Sequence, residues 1–265
     1  FSVLWHKENL LNIGIKRLID LGYSNICWMD SDILFKDSHW IEDTIQSLKN
    51  YNLCQLFSSV EIENIDGSSS FGPGCVKEWS YTGSLMPTSR PYFTGYAWAS
   101  TANVLSQCPL YDKAILGGGD SLIWLASFFN SVDISETIKS HPISHLGLPE
   151  YVVNYLNWSS IWGDLINSKV SYLNHGIKTL SHGSHKHRSY KSRYNSLSKF
   201  NYSPIRDIYY KNQLIQTCNS KLHSEIINYF KNRNEDELFI FQKILKYIKR
   251  KTALLNMASA KCLDS

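Results

Sequence analysis

The 265-residue chain has no cysteine pair in a Cys-x-x-Cys arrangement: Cys27, Cys54, Cys75, Cys108, Cys218 and Cys262 are scattered, and one lies inside an apolar run. That sets aside a paired-cysteine motif and predicts buried thiols in a reducing compartment. No stretch reaches the roughly 18 consecutive apolar residues of a membrane span, and the start lacks the charged-then-apolar plan of a secretion signal. A soluble, cytoplasmic protein is expected. Charge of one sign is also lacking, since 27 Lys and Arg against 23 Asp and Glu leave a net +4, too little to call for nucleic acid as partner. Internal repeats are absent, which excludes a solenoid.

What is present is core-forming material. A content of 43% hydrophobic and 13% aromatic residues supports one folded domain with an appendage. Leu11, Ile15, Leu18 and Ile19 recur at helical spacing, and Gly22 stops that helix before the apolar run Ile26-Cys27-Trp28-Met29. Helix, glycine and buried strand predict an α/β fold. Asp37 or Ser38 is the expected N-cap of a helix carrying Trp40, Ile41, Ile45 and Leu48 on one face, followed by a strand over residues 53–60. Residues 64–75, rich in Gly and Ser, predict a mobile surface loop. An aromatic strand is expected over 92–99, a helix over 122–129, and two tail helices between Lys221 and Met257. The basic face of the second tail helix, with Lys246, Lys249, Arg250 and Lys251, reads as solvated rather than membrane-bound.

Asp30-Ser31-Asp32 follows the first strand directly, at the carboxyl end where open α/β sheets bind ligands. Two carboxylates one residue apart can direct oxygens to a shared divalent cation beneath a diphosphate, although an exposed acidic turn has the same sequence. Gly117-Gly118-Gly119-Asp120 precedes the later helix. A run of glycines lets a backbone pass close to a sugar or adopt positive φ, and Asp120 stands either as a helix cap or as a base. His182, His185 and His187 alternate with Lys186 and Arg188 in a stretch to Lys211 that holds seven basic residues and one acid, Asp207. Such a stretch favours an anion, and by itself it reads as a solvated loop or a zinc cluster as readily as anything else.

In this order Trp28-Met29-Asp30-Ser31-Asp32, Phe93-Thr94-Gly95-Tyr96-Ala97-Trp98-Ala99 with Gly117-Gly118-Gly119-Asp120, and Leu180-Ser181-His182-Gly183 resemble motifs of GT-A glycosyltransferases. The likeness covers about Leu4 to Tyr194. It is nearest to family-2-like transferases of bacteria, phages and large viruses, and to galactosyltransferase and polypeptide N-acetylgalactosaminyltransferase C-terminal regions. The resemblance implies an open mixed sheet flanked by helices, with residues 1–212 as catalytic domain and 213–265 as a C-terminal helical extension. It implies a nucleotide-diphosphate sugar donor, UDP-linked, a glycan, lipid or protein acceptor, and Mn²⁺ or Mg²⁺. Asp32 and His182 would hold the metal with Asp30 beside them, and Lys186 and Arg188 would neutralise the diphosphate. Asp120 would be the base of an inverting transfer, with Trp98, Gly118 and Gly119 on the sugar side.

That fold begins with a strand, a helix and a second strand that hold the nucleotide base, and nothing in this chain ahead of Leu4 matches them. Two alternatives compete. A metal-dependent sugar-nucleotidyl or phosphoryl transferase would use the same acidic pair but needs a Gly-rich phosphate loop, and none is visible near the start. A binder of anionic polymer would use the basic stretch with Tyr190, Tyr194, Phe200 and Tyr202 as stacking groups.

Overall fold

The computed structural model describes residues 2–63, 68–86, 91–130, 147–180 and 193–233. The first apolar stripe forms α1 (Lys7–Asp20), closed by Gly22 at φ +86°, a left-handed conformation open to glycine without strain. β1 (Asn25–Met29) follows and lies at the edge of a four-stranded sheet. Its neighbours in order are β6 (Ala97–Thr101), β3 (Leu53–Gln55) and β7 (Val170–Tyr172). β6 is antiparallel to both β1 and β3, whereas β3 and β7 are parallel. A second sheet has the order β2 (Ile33–Phe35), β8 (Gly176–Thr179), β4 (Ser59–Glu63), β5 (Ser69–Pro73). The class is α/β with mixed sheets flanked by helices.

Side-chain alternation along the first sheet divides the core in two. Ile26, Trp28, Leu53 and Trp98 face the larger cluster, which holds α1, α5 (Gly119–Ala126) and α6 (Pro149–Ile166). Cys54, Ala97 and Ala99 face a smaller one shared with Phe57, Val60 and Ile177 of the second sheet. Proline in the first turn opens α6, where its missing N–H costs nothing. Two contacts then lock α6 to the α5 region: Tyr155 Oη donates to the Leu122 carbonyl at 2.8 Å, and Trp162 Nε1 to Ser127 Oγ at 3.0 Å.

Several expectations are corrected here. The strand expected over 53–60 is two strands in different sheets, because the buried residues between β3 and β4 carry the chain from one sheet to the other. Residues 69–73 are not a loop but an edge strand, supplied with register by its antiparallel partner β4 rather than by its own side chains. Ile41 and Ile45 do not share a buried face of α2 (Trp40–Ser47); they are 50% and 46% exposed, while Trp40 stacks on Phe35 at 4.2 Å. Of the described cysteines, Cys54, Cys75 and Cys108 are buried, Cys27 is half-buried, and Cys218 is exposed.

The expected boundary between 212 and 213 falls in the turn of a hairpin made by β9 (Ile208–Lys211) and β10 (Leu214–Thr217). Asn9 of α1 stitches that hairpin down, its Nδ2 donating to the Gln213 carbonyl and its Oδ1 accepting from Ile215 N. α8 (Ser220–Asn232) follows, capped by Asn219, and buries Leu222 and Ile226. Between α6 and β9 lies α7 (Asn195–Lys199). α3 (Cys75–Thr82) and α4 (Ala102–Gln107) complete the described helices. The second tail helix expected before Met257 lies outside the described residues. Among the described residues, no helix is long and apolar enough to cross a membrane.

Candidate active site

β1 ends at Met29 and delivers Asp30 to the carboxyl edge of the sheet, where the backbone turns. The Asp30 N–H donates to the Tyr96 carbonyl at 2.7 Å, and Tyr96 has φ +76°, a left-handed conformation that costs a bulky residue roughly 1–3 kcal/mol. Its ring is packed against Phe57 and Phe93, and that packing holds the backbone there. α1 opens with Lys7, and α5 carries Asp120 in its first turn. These three segments meet: Lys7 Nζ lies 2.7 Å from Asp30 Oδ1 and 3.0 Å from Asp120 Oδ2.

The three side chains are 20–29% exposed, so the cluster is partly desolvated yet open to a ligand. Burial opposes the charge on Lys7, but Asp120 and Asp30 outweigh it and hold the ammonium above its ordinary pKa. Burial raises the Asp30 carboxyl, Lys7 pulls it back, and Asp120 raises it again. The Asp120 side chain, in the first turn of α5, accepts from Lys7 through Oδ2. One oxygen, Oδ2, is thereby fixed, and Oδ1 is left to act.

Beneath this cluster lies Glu8, 2% exposed, with Oε1 buried and without a hydrogen-bond partner. Desolvation, then the charge of Asp120, pushes its pKa up to about 8. At neutral pH Glu8 therefore holds its proton. Its carboxyl occupies the space a Cβ on Gly119 would need, and Tyr194 and Arg193 crowd Gly118, which has φ +97°. The glycine run is explained by close packing against Glu8 and Tyr194 and by positive φ at Gly117 and Gly118.

The expected site residues fall into four groups. Asp30 and Asp120 converge. Asp32 stands two residues beyond Asp30, and its carbonyl accepts from Leu180 N at 2.8 Å, just past β8. His182, Lys186 and Arg188 lie outside the described residues. Trp98 is corrected: it is 1% exposed, packed on Trp124, and its indole donates to the Thr94 carbonyl at 2.8 Å, so no face is left for a sugar. Tyr194 and Tyr202 are likewise buried, which removes two of the four rings expected to stack along an anionic polymer. Sequence reasoning missed Lys7 and Glu8. Their only signal is a charged pair in the first turn of a helix, and that pattern ordinarily serves the helix dipole.

For a divalent cation, the described residues offer hard carboxylate oxygens at Asp30 and Asp32, the donor type that manganese and magnesium accept. Among the described residues no group of three His, Cys, Asp or Glu side chains is assembled around one point. Of the two, Asp30 has its Oδ1 engaged by Lys7. Compared with protein-family models, curated proteins and solved structures, the chain matches none.

Proposed function

We propose that the chain is a glycosyltransferase of GT-A type that moves a sugar from a nucleotide-diphosphate donor, UDP-linked, to an acceptor hydroxyl with inversion. The observation that carries the reading is the meeting of Asp30 and Asp120 on one lysine, across 113 positions between Lys7 and Asp120, at the carboxyl end of a sheet strand. An acid after a strand and an acid at a helix mouth are each common. Their convergence in one partly exposed cluster is what a two-substrate transfer needs: a donor-side carboxylate and a proton acceptor within one site.

In this reading Asp120 Oδ1 takes the acceptor hydroxyl proton as that oxygen attacks the anomeric carbon. Lys7 fixes the orientation of Asp120 through Oδ2 and places a positive charge beside the incoming diphosphate. Asp30, anchored through its N–H to Tyr96, orients the donor's ribose or sugar hydroxyls. Asp32, with His182, would hold Mn²⁺ or Mg²⁺, whose charge stabilises the leaving diphosphate. Lys186 and Arg188 are the further phosphate partners proposed. Glycan, lipid and protein hydroxyls remain acceptor candidates at this level.

The test separates donor from acceptor chemistry. Asp32→Ala abolishes manganese-supported binding of UDP in calorimetry, whereas Asp120→Asn binds UDP as the parent does and transfers sugar far more slowly. Equal loss of UDP binding in both variants moves Asp120 to the donor side and removes the proposed base. Pyrophosphate release from a nucleoside triphosphate and a sugar phosphate would replace the reading with nucleotidyl transfer.

A further inference from the structure

Away from the carboxylates, between β5 and α3, lies an open cavity of about 530 Å³ lined by Ser58, Ser59, Phe71, Lys77, Tyr81 and Pro91 among others. Phe71 and Tyr81 are each 70% exposed, which is unusual for two rings lining one cavity. Lys77, half-buried on α3, forms no ion pair among the described residues. Ser58 is buried at 4% exposure and donates its hydroxyl to the His175 carbonyl at 3.1 Å, while Ser59 beside it is half-buried. The Tyr81 ring, the Phe71 ring with the Lys36 ammonium 5.7 Å from its centroid, serine hydroxyls and a cation with no ion pair among the described residues form a set that an apolar side chain or acyl chain would leave unsatisfied. A sugar satisfies all of it: C–H faces on the rings, hydroxyls on the serines, and an acidic substituent on the ammonium.

The cavity is also tied to the carboxylates by one short segment. Phe93 lies against Gly72 in the cavity wall and packs on Tyr96 at 5.7 Å. Gly95 then passes Asp120 Oδ2, and the Tyr96 carbonyl holds Asp30. At the extended limit of about 3.4 Å per residue, Pro91 and Tyr96 are at most roughly 17 Å apart, within the reach of a short oligosaccharide.

We propose that this cavity is a carbohydrate subsite, seating an acidic sugar of a glycan acceptor with its ring face on Phe71 and Tyr81 and its anion on Lys77. The proposal rests on the transferase reading for the word acceptor and deepens it by choosing a glycan over a lipid or protein. Glycan binding itself needs no donor, so the two can fail separately.

The probes are a hyaluronan tetrasaccharide, which carries uronates, and neutral chitotetraose, titrated into the full chain and followed by saturation-transfer NMR. The uronate probe binds, Phe71→Ala and Tyr81→Ala each weaken it at least fivefold, and Lys77→Met removes the preference over chitotetraose. All three are surface changes that leave the fold intact. No binding of either probe, equal binding of both by the parent chain, or unchanged binding in the Phe71→Ala and Tyr81→Ala variants overturns the proposal. A parallel titration with UDP and Mn²⁺ reads the donor site. Glycan binding without UDP binding keeps the subsite and sinks the transferase, and UDP binding with no glycan binding does the reverse.

Discussion

Two lysines in this molecule sit among carboxylates with nearly the same exposure, and they are built differently. Lys113 is 22% exposed and bonds Asp112, its chain neighbour, at 2.6 Å. Tyr210 donates to the other Asp112 oxygen at 2.7 Å, contacts Lys113, and lays its ring 4.4 Å from the ammonium. Every group there has a partner, and the knot pins the β9–β10 hairpin to the body. Lys7 is 20% exposed and joins acids from distant segments, with a left-handed Tyr96 on one side and, below, a buried carboxyl whose Oε1 has no hydrogen-bond partner. Polar clusters that close on themselves stabilise. One that carries strain and leaves polar valence unfilled is where a ligand belongs.

The sharpest way to break that contrast is to neutralise one acid in each knot. Asp120→Asn lowers sugar transfer by roughly 10²–10⁴-fold, the range of a lost general base, with UDP binding retained. Asp112→Asn leaves transfer within about twofold, read in the same assay. Equal losses would erase the distinction between the two clusters.

Next in size is the proton on Glu8. With a native pKa of about 8 against an ordinary 4.5, Glu8 binds its proton in the folded chain over a range where the unfolded chain has released it. Folded protein then holds more protons than unfolded, so this group's contribution falls as pH rises from about 4.5 and levels off above about 8. Glu8→Gln, neutral in both states, removes the loss. Between pH 5 and 7 its urea midpoint relative to the parent rises by the equivalent of roughly 2–3 kcal/mol. A difference independent of pH would show that Glu8 is ionised when folded.

Smaller again is Lys7→Met, which leaves Asp30 and Asp120 facing one another without a cation. It costs about 2 kcal/mol at neutral pH, less than a fully buried pair because the site is partly open to water. Part of that cost is regained on acidification as one carboxyl takes up a proton, and urea titrations at pH 5 and 7 report the gain. Glu8 gives the parent a slope of the same sign, so the gain is read as the difference between Lys7→Met and the parent at each pH.

How much of this was legible depends on whether the cause is local. A buried strand followed directly by two acids marks the end of β1, and a glycine run before an apolar helix marks the mouth of α5. Both signals lie within a few residues of their consequence. The meeting of Asp30 with Asp120 does not, because it depends on β6 lying antiparallel beside β1 and bringing Tyr96 to Asp30. Leu56 and Phe57 read as the middle of one strand because a buried crossing between sheets is as apolar as a strand. Trp98 could be placed in a strand but not on a face. Its alternation with Ala97 and Ala99 decides which face is buried only when both sides of the sheet are known, and here both are covered. Lys7 and Glu8 resemble the solvated first turn of any helix, and only tertiary packing on Gly119 makes Glu8 a buried acid.

The smallest effect bears on the closed knot. Tyr210→Phe removes the hydroxyl bonded to Asp112 but keeps the ring over Lys113, and because Tyr210 is 51% exposed, water replaces the lost partner. The expected cost is under about 1 kcal/mol in urea unfolding. The same substitution leaves UDP binding and transfer unchanged, since the hairpin stays attached through Asn9 and Ser2, whose bonds to Gln213, Ile215 and Thr217 do not involve Tyr210. If transfer fell while stability held, the hairpin would be contributing to the cleft, and the division between a structural and a functional lysine would have to be redrawn with both knots on the functional side.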